Sequence, residues 1–236
     1  MFTAQTRILI DSMASNNENE QNAIDKLDSN LSSASEKIAN NKKIIYWVLG
    51  AIVVVGGFIL SYFFIYRNPH LKGAAEAYNQ VEITAVGNDS IAAAEYKKVA
   101  NQYSNTPSGH LAALEAAEAF YDQGKYKEAI ECLDKANIGE KVLMANAIIL
   151  KGDCYVNLKQ YDKALDAFKD AVKKGDKNDQ IVPRALLKCA NVYDEQKKYA
   201  QALECYEQIK NEYPTFRPGN VDIEAYISRE QARLGK

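Results

Sequence analysis

The sequence predicts an all-α chain: a single N-terminal transmembrane helix, then an α-solenoid of helical hairpins closed by a C-terminal capping helix. Three observations predict it. Ile44 to Tyr66 is a run of 23 residues without a charge. Three later segments superimpose without gaps at offsets of 35 and 38 residues. Apolar residues three and four apart recur in every half of those segments, the period of a helix with one buried face.

The run IIYWVLGAIVVVGGFILSYFFIY is flanked by Lys42-Lys43 and Arg67. About 20 apolar residues at 1.5 Å each cross a hydrocarbon core of about 30 Å. Gly50, Gly56 and Gly57 would weaken a helix in water, but a lone span in lipid has no other way to satisfy its backbone. Tyr46 and Trp47 mark one interface and Tyr62 and Tyr66 the other. A cleaved signal peptide does not fit, because 43 residues precede the run, its apolar core is too long and no small-residue cleavage site follows.

Residues 1–43 form a polar arm. Residues 14–23, ASNNENEQNA, are too polar to bury a core. Met1 to Ser12 is out of character with that tract, and two readings stand: translation starts at Met13, or the extension is genuine. From about residue 20 an amphipathic helix is expected, its stripe made of Ile24, Leu27, Leu31, Ala34 and Ile38. It either docks on a partner or lies on the membrane leading into the span. Lys37, Lys42 and Lys43 precede the span against Arg67 and Lys72 after it, so the positive-inside rule places the arm in the cytoplasm by one lysine.

Residues 67–236 hold the solenoid. ALEAAEAFYDQGKYKEAIECLDKA begins at Ala113, IILKGDCYVNLKQYDKALDAFKDA at Ile148 and LLKCANVYDEQKKYAQALECYEQI at Leu186. One column holds Ala117, Gly152 and Ala190, and another Ala129, Ala164 and Ala202, so two helices can approach closely. Phe120, Tyr155 and Tyr193 flank that contact from one side, and Leu133, Phe168 and Tyr206 from the other. Gly124 and Asn157 are the expected turn residues. The units are placed at about 110–139, 145–174 and 183–214. A degenerate helix pair at 71–103 precedes them, capped at Asn88, Asp89 or Ser90, and Pro107-Ser108-Gly109 is read as a break. Pro214 and Pro218 stop the last unit, and the capping helix runs from 221 to 234 with one polar face, as a solenoid end requires.

Composition narrows function. Net charge is −2 without a basic block, so nucleic acid is excluded as a partner class. The two histidines, His70 and His110, lack the companions of a zinc site. No nucleophile–base pair or phosphate-binding glycine loop occurs, so no catalytic residue, cofactor, metal or small-molecule substrate is assigned and the chain is read as a non-enzyme. Cys132, Cys154, Cys189 and Cys205 sit inside the repeat helices, and both packing and disulfide roles stay open.

The columns resemble the tetratricopeptide repeat family, whose small–aromatic–small–aromatic signature they reproduce. Gly152-Asp153-Cys154-Tyr155 with Ala164-Leu165-Asp166-Ala167-Phe168 is the best match. Lys151 departs from the usual leucine and Asp176 from the usual closing proline, which Pro214 keeps in the third unit. The resemblance implies a concave groove lined by the first helix of each hairpin. Those positions hold Leu114, Glu118, Tyr121 and Asp122, then Ile149, Asp153, Val156 and Asn157, then Leu187, Asn191, Asp194 and Glu195. None is basic, which speaks against the carboxylate clamp of the chaperone-tail binders and for a basic or unfolded segment.

The whole arrangement, from about residue 20 onward, resembles the YfgM-type membrane-anchored tetratricopeptide proteins of Gram-negative bacteria, in particular their Bacteroidetes branch. That resemblance implies an inner-membrane protein with a cytoplasmic N-terminus and a periplasmic solenoid. It further implies an ancillary, chaperone-like role at the Sec translocon, beside a membrane-anchored prolyl-isomerase-like chaperone and unfolded periplasmic clients. A structural scaffold subunit of another envelope assembly is the competing expectation.

Overall fold

The structure is a computed structural model and describes residues 26–32, 42–85 and 88–235. The chain divides into two compact units, Met1–Tyr66 and Arg67–Lys236.

In the first unit, residues 26–32 are helical (α1). Leu27 and Leu31, members of the expected apolar stripe, are 62% and 64% exposed. Its other members, Ile24, Ala34 and Ile38, lie outside the described residues, as does the proposed start at Met13. Helix α2 (Lys42–Ser61) continues into a π-helical stretch, Tyr62–Arg67. Its apolar side chains face outward, Trp47 at 81% exposure and Val53 and Phe58 at 73%. Helix Ile45–Thr84 is long and apolar enough to cross a membrane.

The second unit is helical, with no strand among the described residues. It contains α3 (Asn68–Thr84), α4 (Asp89–Gln102), α5 (Pro107–Asp122), α6 (Tyr126–Leu133), α7 (Lys141–Asn157), α8 (Tyr161–Lys174), α9 (Ile181–Glu195), α10 (Tyr199–Glu212) and α11 (Ile223–Arg233). Local chemistry sets the starts. The side chain of Asn88 accepts from the Ile91 N–H, that of Thr106 from the Gly109 N–H, and that of Asp222 from the Glu224 N–H. Each satisfies a donor that has no partner inside the helix. Pro107 opens α5 instead of breaking the chain, which corrects the reading of Pro107-Ser108-Gly109. At a first helical position the missing N–H costs nothing.

The hairpin turns share one device. Gly124, Lys159 and Lys197 adopt φ of 71°, 58° and 58°. The N–H of the next residue, Lys125, Gln160 or Lys198, donates to Phe120, Tyr155 or Tyr193 O at 2.8 Å in each case. The left-handed residue's own N–H reaches Tyr121, Val156 or Asp194 O. This is the Schellman closure of a helix. Lys159, and not Asn157, is therefore the turn residue of the second hairpin. Asn157 ends α7 and spends its side-chain amide elsewhere.

Within each hairpin the small columns meet: Ala117, Ala129, Ala164, Ala190 and Ala202 are fully buried. At Gly152 the approach is closest, because an added Cβ would sit 2.3 Å from the Phe168 ring. Three apolar clusters follow one another along the stack, around α3–α6, α7–α9 and α9–α11. Each helix packs on its sequence neighbours, and α3 with α5, α5 with α7 and α7 with α9 also touch. The second helices of successive hairpins approach less closely, although Lys97 Nζ on α4 meets Glu131 on α6 at 3.0 Å and Lys135 Nζ donates to Asn101 Oδ1 on α4 at 2.6 Å. A stack tighter on its odd-numbered side curves toward that side, so α3, α5, α7 and α9 form the inner wall.

Candidate functional site

The inner wall carries a series of polar bridges, each joining residues one repeat apart. Tyr78 Oη on α3 donates to Glu115 Oε1 on α5 at 3.4 Å, and Asn157 Nδ2 on α7 donates to Tyr121 Oη on α5 at 3.4 Å. Lys188 Nζ on α9 donates to Asp153 on α7 at 2.9 Å, and Arg184 bonds Asn146. Arg229 Nη2 on α11 reaches Asp194 on α9 at 3.1 Å, and Arg233 bonds the same carboxylate.

The α11 end is the most elaborate. Glu230 is 0% exposed and is held by Arg229 Nε at 2.7 Å and by Arg233 Nη1 at 3.3 Å. Tyr206 Oη donates to Asn191 Oδ1 at 3.2 Å and receives Arg229 Nη2 at 3.4 Å. A buried carboxylate is tolerated only when paired and hydrogen-bonded, and two guanidinium groups supply that here.

This geometry sorts the expected groove positions. Leu114 and Ile149 are buried, 4% and 5% exposed, and present little surface. Asp153, Asp194, Tyr121, Asn157 and Asn191 take part in the bridges. Val156 and Leu187 are half-buried, whereas Glu118, Asp122 and Glu195 stand exposed. None of the expected positions is basic, but basic side chains reach them from neighbouring positions. Arg184, Lys188, Arg229 and Arg233 stand beside the wall, each in contact with an inner-wall residue. The spacing could have revealed two of them: Lys188 lies 35 residues after Asp153 and Arg229 lies 35 after Asp194.

Charge along the wall is uneven. Toward α9 and α11 Asp153, Asp194 and Glu230 each meet a lysine or arginine. Toward α3 and α5, Glu82, Glu115, Glu118 and Asp122 have no ion pair among the described residues. Burial raises the Glu115 carboxyl above its ordinary value, against the hydrogen bond from Tyr78, and Glu82 adds to the rise. Glu118 is raised by the same partial burial and by the neighbouring charges of Glu115 and Asp122. Burial also raises Asp153, with Lys188 and Arg184 pulling it back.

A family model described as anaphase-promoting complex, cyclosome, subunit 3 matches residues 91–171, and a tetratricopeptide repeat model matches residues 184–215. The hairpins are tetratricopeptide repeats. A tetratricopeptide solenoid is a protein–protein interaction module, and neither matched family is a catalytic one. The matched stretches begin inside α4 and end just past α10, leaving α3 and α11 as the flanking helices of the tetratricopeptide stack. Two crystal structures of MamA superimpose with TM-scores of 0.52 and 0.53 at 23% and 21% identity. They cover 64% and 70% of this chain and 81% and 83% of theirs. The nearly identical TPR-like repeats of a Podosopora anserina putative kinesin light chain superimpose with a TM-score of 0.50 at 16% identity, covering 71% of this chain and 86% of that one. At such identities the likeness is one of fold. No curated protein matches the sequence.

Proposed function

We propose that the protein is a non-catalytic, single-span interaction module whose tetratricopeptide solenoid receives a basic or unfolded polypeptide segment on its inner wall. The observation that carries this is the uneven charge of that wall. Among the described residues Glu82, Glu115, Glu118 and Asp122 form no ion pair, and a lysine- or arginine-bearing segment would supply one. Tyr121, Val156 and Leu187 offer partly exposed apolar surface beside them.

The resemblance to YfgM-type proteins extends the reading. The solenoid would be periplasmic and the arm cytoplasmic, and the protein would serve the Sec translocon as an ancillary subunit beside a membrane-anchored prolyl-isomerase-like chaperone. The exposed apolar helix Ile45–Thr84 supports the anchor. Purification of the tagged protein from gently solubilised membranes tests the assignment: recovery of the translocon channel is expected, and another complex without it would overturn the partner. A reporter fused after Lys236 that works only in the cytoplasm would overturn the periplasmic placement.

A second reading, a scaffold subunit of another envelope assembly that holds no client, is favoured by the bridges themselves. They occupy Asp153, Asp194, Tyr121 and Asn157, which a client would otherwise contact. Glu118→Gln combined with Asp122→Asn discriminates: it weakens capture of a basic peptide under the first reading and leaves assembly intact under the second.

A further inference from the structure

Two cavities flank the loop between α6 and α7, and Asn137, Ile138 and Gly139 line both. One, of about 450 Å³, runs from this loop past Thr106 and His110 at the start of α5 to Arg67. The other, of about 410 Å³, runs to Lys141 at the start of α7 and to Lys173 and Lys174 at the end of α8. Together they make one trough along the edge of the solenoid where first helices begin and second helices end. The hairpin turns at Gly124, Lys159 and Lys197 lie at the opposite ends of those helices.

The two carboxylates of the trough are already engaged within the protein. Glu140 accepts from the Val142 and Leu143 N–H groups, and Asp176 pairs with Lys141 at 2.7 Å. Lys173 and Lys174 are exposed and form no ion pair among the described residues. Ile138, Leu143 and Met144 add a half-buried apolar strip, beside which Val142 is exposed. At the far end of the trough, Arg67 is bonded to Tyr66, the last residue of the uncharged run.

We propose that this edge of the solenoid rests on the membrane surface and that its trough seats the headgroups of anionic phospholipids. The proposal rests on the reading of helix Ile45–Thr84 as a membrane span. Chain continuity then brings the trough to the bilayer, because one of its lining residues is the first to follow the apolar run. Lysines near an anionic leaflet are attracted to it, and an ammonium group binds phosphate as a point charge. Lys173 and Lys174 are the groups with charge to spare. The apolar strip decides between a lipid surface and a soluble phosphate. A free phosphate would use the lysines and leave Ile138 and Val142 in water, whereas the boundary between headgroups and acyl chains takes up both kinds of side chain.

Hydrogen exchange of the full-length chain in lipid nanodiscs tests this, with phosphatidylcholine alone compared with a mixture containing phosphatidylglycerol. Exchange over residues 137–143 and 173–180 is expected to be several-fold slower in the mixture. The turns at Gly124, Lys159 and Lys197, on the opposite edge, are expected to exchange alike in both. Lys173→Gln combined with Lys174→Gln is expected to remove most of the difference while circular dichroism stays unchanged, and high salt is expected to do the same. Equal exchange in the two lipids would overturn the proposal and leave the anchor standing. So would protection shared equally by the opposite turns, or equal protection by glycerol phosphate added to phosphatidylcholine nanodiscs, which would mark a soluble anion as the occupant. A chain that enters neither nanodisc would overturn the anchor and this proposal with it.

Discussion

At the scale of single residues, close approach and turn conformation set the outcomes. Gly152→Ala places a methyl against the Phe168 ring, in a core already dense. It should cost about 1–3 kcal/mol, read as a lower urea midpoint at constant slope. The turns give the opposite sign. Lys159 and Lys197 occupy left-handed backbone that costs a side-chain-bearing residue about 1–2 kcal/mol. Lys159→Gly and Lys197→Gly should each stabilise by up to about 1 kcal/mol in the same assay, less the entropy glycine adds to the unfolded chain. The sequence places the first of these three turns at Gly124 but misassigns the second to Asn157. The left-handed position follows from hydrogen bonding after the helix ends, and lysine gives no local sign of it. Glu115 supplies a pH effect. Its folded-state carboxyl is raised, so the native state binds the proton more tightly than the unfolded one, and stability falls as pH rises from the ordinary glutamate range through the raised value. Glu115→Gln should flatten that part of a stability–pH curve.

At the scale of elements, α11 shows what pattern reading reaches and where it stops. Its apolar stripe is legible, and Ile223 and Ile227 are buried as a capping helix requires. Glu230 is not legible as a core residue, because a glutamate on a helix reads as solvated surface. Its burial depends on two arginines of the same helix and on Asp194 and Tyr206 of the preceding hairpin. The double substitution Arg229→Ala with Arg233→Ala would leave a buried carboxylate unpaired and should cost about 3–5 kcal/mol. Adding Glu230→Leu to that pair should recover much of the loss, because the apolar side chain no longer needs a countercharge. Chemical denaturation of the three variants separates the charge effect from simple loss of packing. For the groove, the sequence names the wall but not its chemistry. Partners 35 residues apart are invisible until the repeat register is applied to charges as well as to apolar columns.

At the scale of the whole molecule, the two units call for different solvents. The segment from Arg67 to Lys236 has its own clusters and capped helices, and expressed alone it should be water-soluble and helical by circular dichroism. The full chain should sediment with membranes and resist alkaline extraction, because α2 leaves Trp47, Val53 and Phe58 uncovered. A soluble full-length chain would remove the anchor. The span and the repeats are legible from sequence because both are long periodic signals, whereas the partner is not encoded in any period.

The bridges of the inner wall have a mechanical consequence. They tie first helices along the whole stack, while the outer helices share fewer such ties, Lys97 with Glu131 and Lys135 with Asn101 beside α4 and α6. Flattening the superhelix therefore stretches every inner-wall bridge, whereas coiling it more tightly stretches only the fewer outer ties. The solenoid is a spring with unequal stiffness in its two directions, and load along it is carried by a few ion pairs that salt can soften.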